Sequence, residues 1–202
     1  MKKRVGLTGF LVVFMFFAAA AAGAPRWAAP IGLEGVPNLY KVSDTVYRSG
    51  QPTRRGFRNL RGLGVKTVLN LRSWHSDSDE LRGTSLREIR VRVRVWRPET
   101  GDVLRVLRVL ADKDGAPYLV HCDGGADRTG MAIALYRMVI QGWDREDAIR
   151  EMKNGGYGFS PLGDDIPDFL RRVDIEALSR DINPLPAPPP AEKSPAEDGP
   201  LS

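Results

Sequence analysis

The stretch YLVHCDGGADRTG at residues 118–130 decides the fold of this chain and the chemistry that it can carry. Residues 118–120 form a short apolar run, which is typical of a buried strand. Residues 129–141 carry apolar side chains at helical spacing, which indicates a buried helix. The intervening residues 121–128 are therefore predicted to form a loop between the end of a strand and the N-terminus of a helix.

A loop in that position is suited to hold an anion. The unpaired N–H groups at a helix N-terminus, and the positive end of the helix dipole, attract negative charge. Gly124 and Gly125 allow the backbone to curl until several N–H groups point inward. The same field favours the thiolate form of Cys122, while the planar guanidinium of Arg128 can bind two oxygens of a phosphoryl group. These residues together predict a site that cleaves phosphate esters.

The spacing of the loop resembles the signature of the protein-tyrosine phosphatase superfamily. Cys122, five intervening residues, Arg128 and Thr129 match the Cys-x5-Arg-Thr/Ser pattern of that superfamily. His121 and Gly130 match the positions that flank it. Because the flanks agree as well as the core of the motif, the chain is identified from its sequence as a member of this superfamily.

Further segments are similar to bacterial dual-specificity and tyrosine phosphatases. They lie at residues 46–52, 64–72, 134–138 and 141–143, and the resemblance covers residues 37–180. Predicted strands also alternate with predicted helices, as in α/β proteins. The expected fold is an α/β fold with a central, mostly parallel sheet flanked by helices, and with the phosphate-binding loop between a strand and a helix.

The element bounds follow from apolar periodicity and from terminating residues. Arg90, Arg92 and Arg94 alternate with valines in the period-2 pattern of a strand with one apolar face. These arginines lie either on a solvated sheet face or on an electropositive surface for phosphorylated substrates or anionic lipid headgroups. The other predicted strands are 45–48, 65–71 and 118–120, and the predicted helices are 53–61, 102–112, 129–141, 144–154 and 164–179.

The resemblance implies a role for each residue of the loop. Cys122 would attack phosphorus and form a phosphocysteine, and no metal or other cofactor is implied. Thr129 would donate a hydrogen bond to the leaving thiolate in the second step, and His121 would fix the loop and keep the thiolate stable. The phosphate-binding residues would be Asp123, Gly124, Gly125, Ala126, Asp127 and Arg128.

The general acid is left open by the sequence. Many members of the superfamily carry an aspartate in a Trp-Pro-Asp setting before the signature, whereas residues 95–102 lack that motif. Asp127 is the preferred candidate, as proposed for myotubularins with a similar Asp-Arg-Thr, and it would be protonated in the first step. Its alternative role is to brace the loop. Asp102 is the second candidate for the acid, although its position also suits a cap of the helix that follows.

The loop side chains also bear on the substrate. Asp123 is expected at the solvent-exposed rim, and no lysine lies between Cys122 and Arg128. Related phosphatases that act on polyphosphorylated inositols often have a lysine there. A phosphorylated protein or a small aryl phosphate is therefore the favoured substrate. A phosphoinositide or inositol-phosphate phosphatase is the alternative enzyme, and a phosphate-binding pseudophosphatase is the non-enzymatic alternative.

The two ends of the chain predict its location. Residues 1–22 have the basic start, apolar middle and small-residue end of a secretory signal, so a periplasmic or secreted protein is expected. Uncleaved, the same segment would anchor the protein to the inner membrane. A linker is predicted over residues 23–36, the phosphatase domain over 37–182, and a disordered proline-rich tail over 183–202.

Composition limits the remaining possibilities. The formal net charge is +5, but Lys2, Lys3 and Arg4 supply three of these charges and leave +2 for a chain that begins at Gly23. Such a balance does not indicate a nucleic-acid binder. The single cysteine, Cys122, cannot form a disulfide within the chain.

A polar loop follows the second predicted strand. His75 is predicted to be a surface histidine, with a position at the border of the pocket as the alternative. Asp77, Asp79 and Glu80 are predicted to form a solvated acidic loop rather than a cation site.

Overall fold

Short apolar runs pair into one six-stranded sheet in this computed structural model, which describes residues 27–94, 98–160 and 165–182. The predicted leader and the predicted proline-rich tail lie outside the described residues. In chain order the strands are β1 (Ala29–Pro30), β2 (Tyr40–Lys41), β3 (Val46–Ser49), β4 (Thr67–Asn70), β5 (Arg87–Arg90) and β6 (Tyr118–His121).

The sheet is mostly parallel, as predicted. Its strand order is β1-β2-β3-β6-β4-β5. Strands β3, β6, β4 and β5 run parallel to one another, while β1 and β2 add an antiparallel edge. His121 at the end of β6 lies opposite Ser49 of β3 and Asn70 of β4. The carboxyl ends of three neighbouring strands therefore meet where the phosphate-binding loop begins.

Helices cover both faces of the sheet. Alternate residues of one strand point to opposite faces, and Leu119 and Val120 of β6 accordingly belong to two different apolar clusters. The smaller cluster contains Phe57 and Leu60 of the first helix. The helices are α1 (Arg54–Gly62), α2 (Thr100–Ala111), α3 (Asp127–Val139), α4 (Arg145–Asn154), α5 (Asp165–Arg172) and α6 (Ile175–Asp181).

Short polar side chains set several helix starts. Thr53 accepts a hydrogen bond from the Gly56 N–H at the start of α1, and Asp144 caps α4 as the sequence predicts. The predicted single helix over 164–179 is wrong, because Asp174 accepts from the Ala177 N–H and starts a separate helix, α6. In the part of the chain that the structure describes, no helix is long and apolar enough to cross a membrane.

Two predicted boundaries need correction. The predicted linker over 23–36 is folded from residue 27 onward, since β1 pairs with β2 and the buried Ala28 N–H donates to Glu151 Oε1 at 2.7 Å. Asp102 does not cap α2, because the N-cap is Glu99 and Asp102 lies within the first turn of the helix.

The predicted strand of alternating arginines begins where β5 ends. β5 covers Arg87–Arg90, and residues 91–94, the described residues that follow it, are not part of a strand. The alternation of burial nevertheless persists, since Val91 and Val93 are buried while Arg92 and Arg94 are exposed. Val95 lies outside the described residues.

A buried ion pair ties the chain's first described residues to two helices. Arg137 of α3 donates from Nε to Glu151 Oε2 and from Nη2 to Glu151 Oε1, at 2.8 Å in each case. Glu151 lies on α4 and also accepts from the Ala28 N–H and the Tyr157 hydroxyl. Loss of one partner of such a buried pair costs about 3–5 kcal/mol, because the other charge is left unpaired.

Candidate active site

The loop between β6 and α3 takes a conformation that requires glycine. Gly125 has a φ of 73°, in the left-handed region. A Cβ added to Gly125 would lie 2.4 Å from the Gly50 nitrogen, whereas a Cβ added to Gly124 would meet nothing within 4 Å. Cys122 at the base of the loop is buried, with 3% of its surface exposed. The backbone after β3 is thus packed directly against the loop that begins with Cys122.

Three donors outside the loop hold its carbonyl groups. Arg48 Nη2 donates to the Gly125 oxygen at 2.7 Å, and Asn38 Nδ2 donates to the Gly124 oxygen at 2.9 Å. The Gln51 N–H donates to the third of these carbonyls, that of Asp123, at 2.8 Å.

Because each peptide unit is planar, a held carbonyl group also fixes the direction of the N–H group in the same unit. In a trans peptide the N–H points away from the carbonyl of the same unit. The N–H groups of Gly124, Gly125 and Ala126 therefore face away from the three donors. None of these N–H groups has a protein acceptor within the described ranges. They are the inward-pointing donors that a phosphoryl group requires.

His121 is fixed by a buried carboxylate. Its Nε2 lies 2.8 Å from Asp77 Oδ2, and its Nδ1 lies 3.2 Å from the Cys122 carbonyl oxygen. Arg72 Nη2 and Gln51 Nε2 both donate to the other oxygen of Asp77, at 2.7 and 2.8 Å. Burial raises the pKa of Asp77, but His121, Gln51 and Arg72 outweigh that effect and hold the pKa below its usual value of 3.8. Asp77 is therefore ionised at neutral pH and orients the imidazole.

The position of Asp77 corrects a prediction. Its side chain is fully buried instead of solvated, whereas Asp79 of the same predicted acidic loop is exposed. The signal that could have found it is its place in a polar loop just after a strand, at the same sheet edge as His121. In the described part of the chain no group of three or more histidine, cysteine, aspartate or glutamate side chains could hold a metal ion.

Arg128 and Thr129 follow the loop at the start of α3. Arg128 Nη2 donates to Asp123 Oδ2, and Asp123 lies exposed at the rim, as expected from the sequence. The Thr129 hydroxyl is buried and has no hydrogen-bond partner within the described ranges. A buried hydroxyl of this kind can donate a hydrogen bond to a negative charge that develops during a reaction.

The two candidate acids differ in their surroundings. Asp127 is the first residue of α3 and its Oδ1 accepts from the Ser160 N–H at 2.9 Å. Asp102 forms an ion pair with Arg105, its side chain is 13% exposed, and it lines the same cleft as Arg128. The structure thus gives Asp127 a bracing contact and places Asp102 on a wall of the cleft.

The cleft beside Arg128 is larger than a phosphoryl group needs. Its volume is about 790 Å³, and Trp74, His75 and Arg92 lie on its walls. The Trp74 side chain is 85% exposed. His75 is exposed, and it borders this cleft. Arg92 forms no ion pair in the part of the chain that is described.

A buried cysteine, a loop of inward N–H groups and a following arginine define a cysteine-dependent phosphatase. Residues 36–160 match the model of the tyrosine phosphatase family. The chain belongs to the tyrosine phosphatase family, which confirms the superfamily and the enzyme class predicted from the sequence.

Relatives and solved structures agree. The dual specificity protein phosphatase TpbA of Pseudomonas aeruginosa is 37% identical over 163 residues, which cover 79% of this chain and 72% of TpbA. A crystal structure of TpbA covers 79% of this chain and 98% of that chain, with a TM-score of 0.71 and 34% identity. A cysteine-to-serine form of TpbA in complex with phosphotyrosine covers 80% and 98%, with a TM-score of 0.70 and 33% identity.

A more distant relative has a different substrate in its name. The inositol diphosphatase DSP5 of Arabidopsis thaliana is 31% identical over 123 residues. The match covers 57% of this chain and 60% of DSP5.

Replacement of Gly125 by alanine tests the loop geometry. Gly125→Ala is expected to lower kcat/KM for para-nitrophenyl phosphate by about 100-fold or more, because the added Cβ displaces the loop from its productive position. Gly62→Ala at the end of α1 is the control, since its Cβ also meets no atom within 4 Å and Gly62 lies outside the loop, so its kcat/KM should stay close to that of the wild type. Equal losses in both variants would contradict this account of the loop.

Proposed function

We propose that this phosphatase hydrolyses phosphotyrosine-type monoesters, with Cys122 as the nucleophile. The observation that carries the proposal is the buried Cys122 at the base of a loop whose three inward N–H groups have no protein acceptor within the described ranges. The thiolate attacks phosphorus and forms the S–P bond while the ester oxygen departs with a proton from the general acid. Water then attacks phosphorus and gives a proton to the same carboxylate, the S–P bond breaks, and inorganic phosphate is released while the Cys122 thiolate and the acid are regenerated.

The surrounding residues serve the two steps. The loop N–H groups and Arg128 stabilise the oxygens of the transferring phosphoryl group. The unpaired Thr129 hydroxyl donates to the thiolate as it leaves in the second step. His121, held by Asp77, fixes the loop at the Cys122 carbonyl.

The depth of Cys122 favours an aryl phosphate. With only 3% of the cysteine exposed, the phosphorus has to be carried down to it on a long side chain, and phosphotyrosine extends further than phosphoserine. TpbA is solved with phosphotyrosine in its complex, which supports the same preference here. The acidic loop side chains, Asp123 and Asp127, disfavour highly charged inositol phosphates.

The cleft beside the loop binds the residues that flank the phosphotyrosine. Trp74 supplies an exposed aromatic surface for the chain of the substrate, and Arg92 supplies a positive charge without an ion-pair partner in the described part. A substrate with an acidic residue next to its phosphotyrosine is therefore preferred over one with neutral neighbours.

Phosphopeptides that differ only in their flanking residues test this preference. Arg92→Ala is expected to raise KM for an acidic phosphotyrosine peptide by about 3- to 10-fold, an effect that added salt reduces, and to leave a neutral peptide unchanged. The matched control is Arg58→Ala on α1, an exposed arginine that does not line this cleft. Cys122→Ser should abolish turnover of every peptide. Faster turnover of inositol phosphates than of any phosphopeptide would instead favour the activity that DSP5 has in its name.

We assign the general acid to Asp102 in preference to Asp127. Asp102 lies on the wall of the cleft that Arg128 also lines, so it can reach an oxygen on the open side of the phosphoryl group. The Asp127 carboxylate accepts a hydrogen bond from the Ser160 N–H at 2.9 Å and does not line that cleft, so its contact is one that braces the chain.

Leaving-group dependence distinguishes the two acids. Asp102→Asn should lower kcat by about 100-fold for a substrate with a poor leaving group, such as phenyl phosphate. For para-nitrophenyl phosphate, whose leaving group is good, kcat should fall far less. Asp127→Asn should lower kcat for both substrates by the same factor, as a disturbed loop would. The reverse pattern would assign the acid to Asp127, as the sequence suggests.

We also propose that the protein is exported. The support is the basic, apolar and small-residue order of residues 1–22, which is typical of a secretory signal. Expression of the full chain in a Gram-negative host should place the phosphatase in the periplasmic fraction, with its N-terminus cut close to Ala22. A form that starts at Gly23 is the control and should stay in the cytoplasm. Recovery of the full chain in the cytoplasmic fraction would contradict export, and recovery of the uncut chain in the membrane fraction would favour an anchor.

A further inference from the structure

Within the described ranges, a second guanidinium, that of Arg48, lies against the loop without a carboxylate partner. Arg48 of β3 is 1% exposed and forms no ion pair within the described ranges. Its Nη2 donates to the Gly125 carbonyl at 2.7 Å, and its Nε has no hydrogen-bond partner there. Its guanidinium carbon lies 3.8 Å from the centre of the Tyr157 ring. A carbonyl and an aromatic ring compensate only part of the free energy lost when such a charge is buried.

The nearby carboxylate is committed to other groups. Glu151 accepts two hydrogen bonds from Arg137, one from the Ala28 N–H and one from the Tyr157 hydroxyl. The charge of Glu151 is therefore paired with Arg137. Arg48 remains as a net positive charge on the inner side of the loop.

The Arg48 charge lies close to the loop that begins with Cys122. Gly125, which accepts from Arg48, is three residues after Cys122. A Cβ added to Gly130, in the first turn of α3, would lie 3.9 Å from Arg48 Nη2. Burial lowers the pKa of Arg48 to about 10, and electrostatic interactions with Tyr157, Glu151 and Cys122 oppose that decrease. Arg48 is therefore cationic at neutral pH, and Cys122 is within reach of its field.

We propose that Arg48 is a positioning residue for catalysis, which holds the Gly125 carbonyl and stabilises the Cys122 thiolate by its buried positive charge. It touches neither the substrate nor the phosphoryl group, and it acts through the loop and the nucleophile. Arg128 binds the phosphoryl oxygens from the rim, whereas Arg48 acts from below. The inference rests on the proposed role of Cys122 as the nucleophile.

Alkylation of Cys122 tests the proposal without turnover. Because Cys122 is the single cysteine, the rate of its reaction with iodoacetamide, measured against pH, reports its thiolate alone. Arg48→Gln keeps an N–H donor for the Gly125 carbonyl but removes the charge. Its alkylation midpoint is expected to rise by about one pH unit, and kcat for para-nitrophenyl phosphate to fall by about 10-fold or more with a smaller change in KM.

Two further variants separate charge from stability. Arg48→Lys keeps a positive charge and should restore the alkylation midpoint to within a few tenths of a pH unit, with part of the lost kcat. Leu60→Ala creates a cavity in the apolar cluster on the opposite face of the sheet, so it should lower the melting temperature and leave the midpoint unchanged.

The outcomes decide the proposal. A wild-type midpoint in Arg48→Gln would overturn it and leave Arg48 as a brace of the loop. If Arg48→Gln does not fold, Arg48→Lys decides, since a raised midpoint in that variant contradicts the role of the charge. Turnover that survives in Cys122→Ser would instead reject the proposed nucleophile, whatever the Arg48 variants show.

Discussion

The direct contact between Gly50 and Gly125 is the constraint on which the rest of the structure depends. The parallel register of β3 and β6 sets Ser49 opposite His121, so the chain that leaves β3 runs against the loop that leaves β6. The space between them admits no side chain at Gly125. Two backbones at this distance can exchange hydrogen bonds, and the Gln51 N–H accordingly donates to the Asp123 carbonyl. The sheet register thus fixes the direction in which the loop presents its N–H groups.

Buried charges support the loop from both faces of the sheet. On the α1 face, His121 lies with its ring edge-on to Phe57 at 6.3 Å between centroids, and Asp77 holds its far nitrogen. On the other face, Arg48 and Tyr157 lie against the Gly125 carbonyl and α4. The burial of each charged group costs free energy, and hydrogen-bond partners from distant parts of the chain compensate that cost. A loop held in this way keeps its geometry when substrate arrives, which is what stabilisation of a transferring phosphoryl group requires.

The sequence predicts those parts of the site whose residues lie close together along the chain. The strand, loop and helix around Cys122 lie within about two dozen consecutive residues, and the periodicity on either side of the signature placed them. Asp77 and Arg48 could not be found in the same way, since 44 residues separate Asp77 from His121 and 77 separate Arg48 from Gly125. Such pairs depend on the strand order β3-β6-β4, which a pattern of apolar residues does not contain. The start of α6 is different, because its cap, Asp174, is a local signal that the sequence itself contains.

The ion pair between Arg128 and Asp123 affects which phosphate esters the loop binds. Since Arg128 already donates to the Asp123 carboxylate, a ligand that binds the same guanidinium competes with a single negative charge at the exposed rim. A phosphodiester carries one negative charge and offers Arg128 no more than Asp123 does. A phosphate monoester carries close to two negative charges at neutral pH, and it also meets the loop N–H groups, which have no protein acceptor among the described residues. On the proposed role of Arg128, a monoester dianion therefore competes with the Asp123 carboxylate for the guanidinium more strongly than a phosphodiester does.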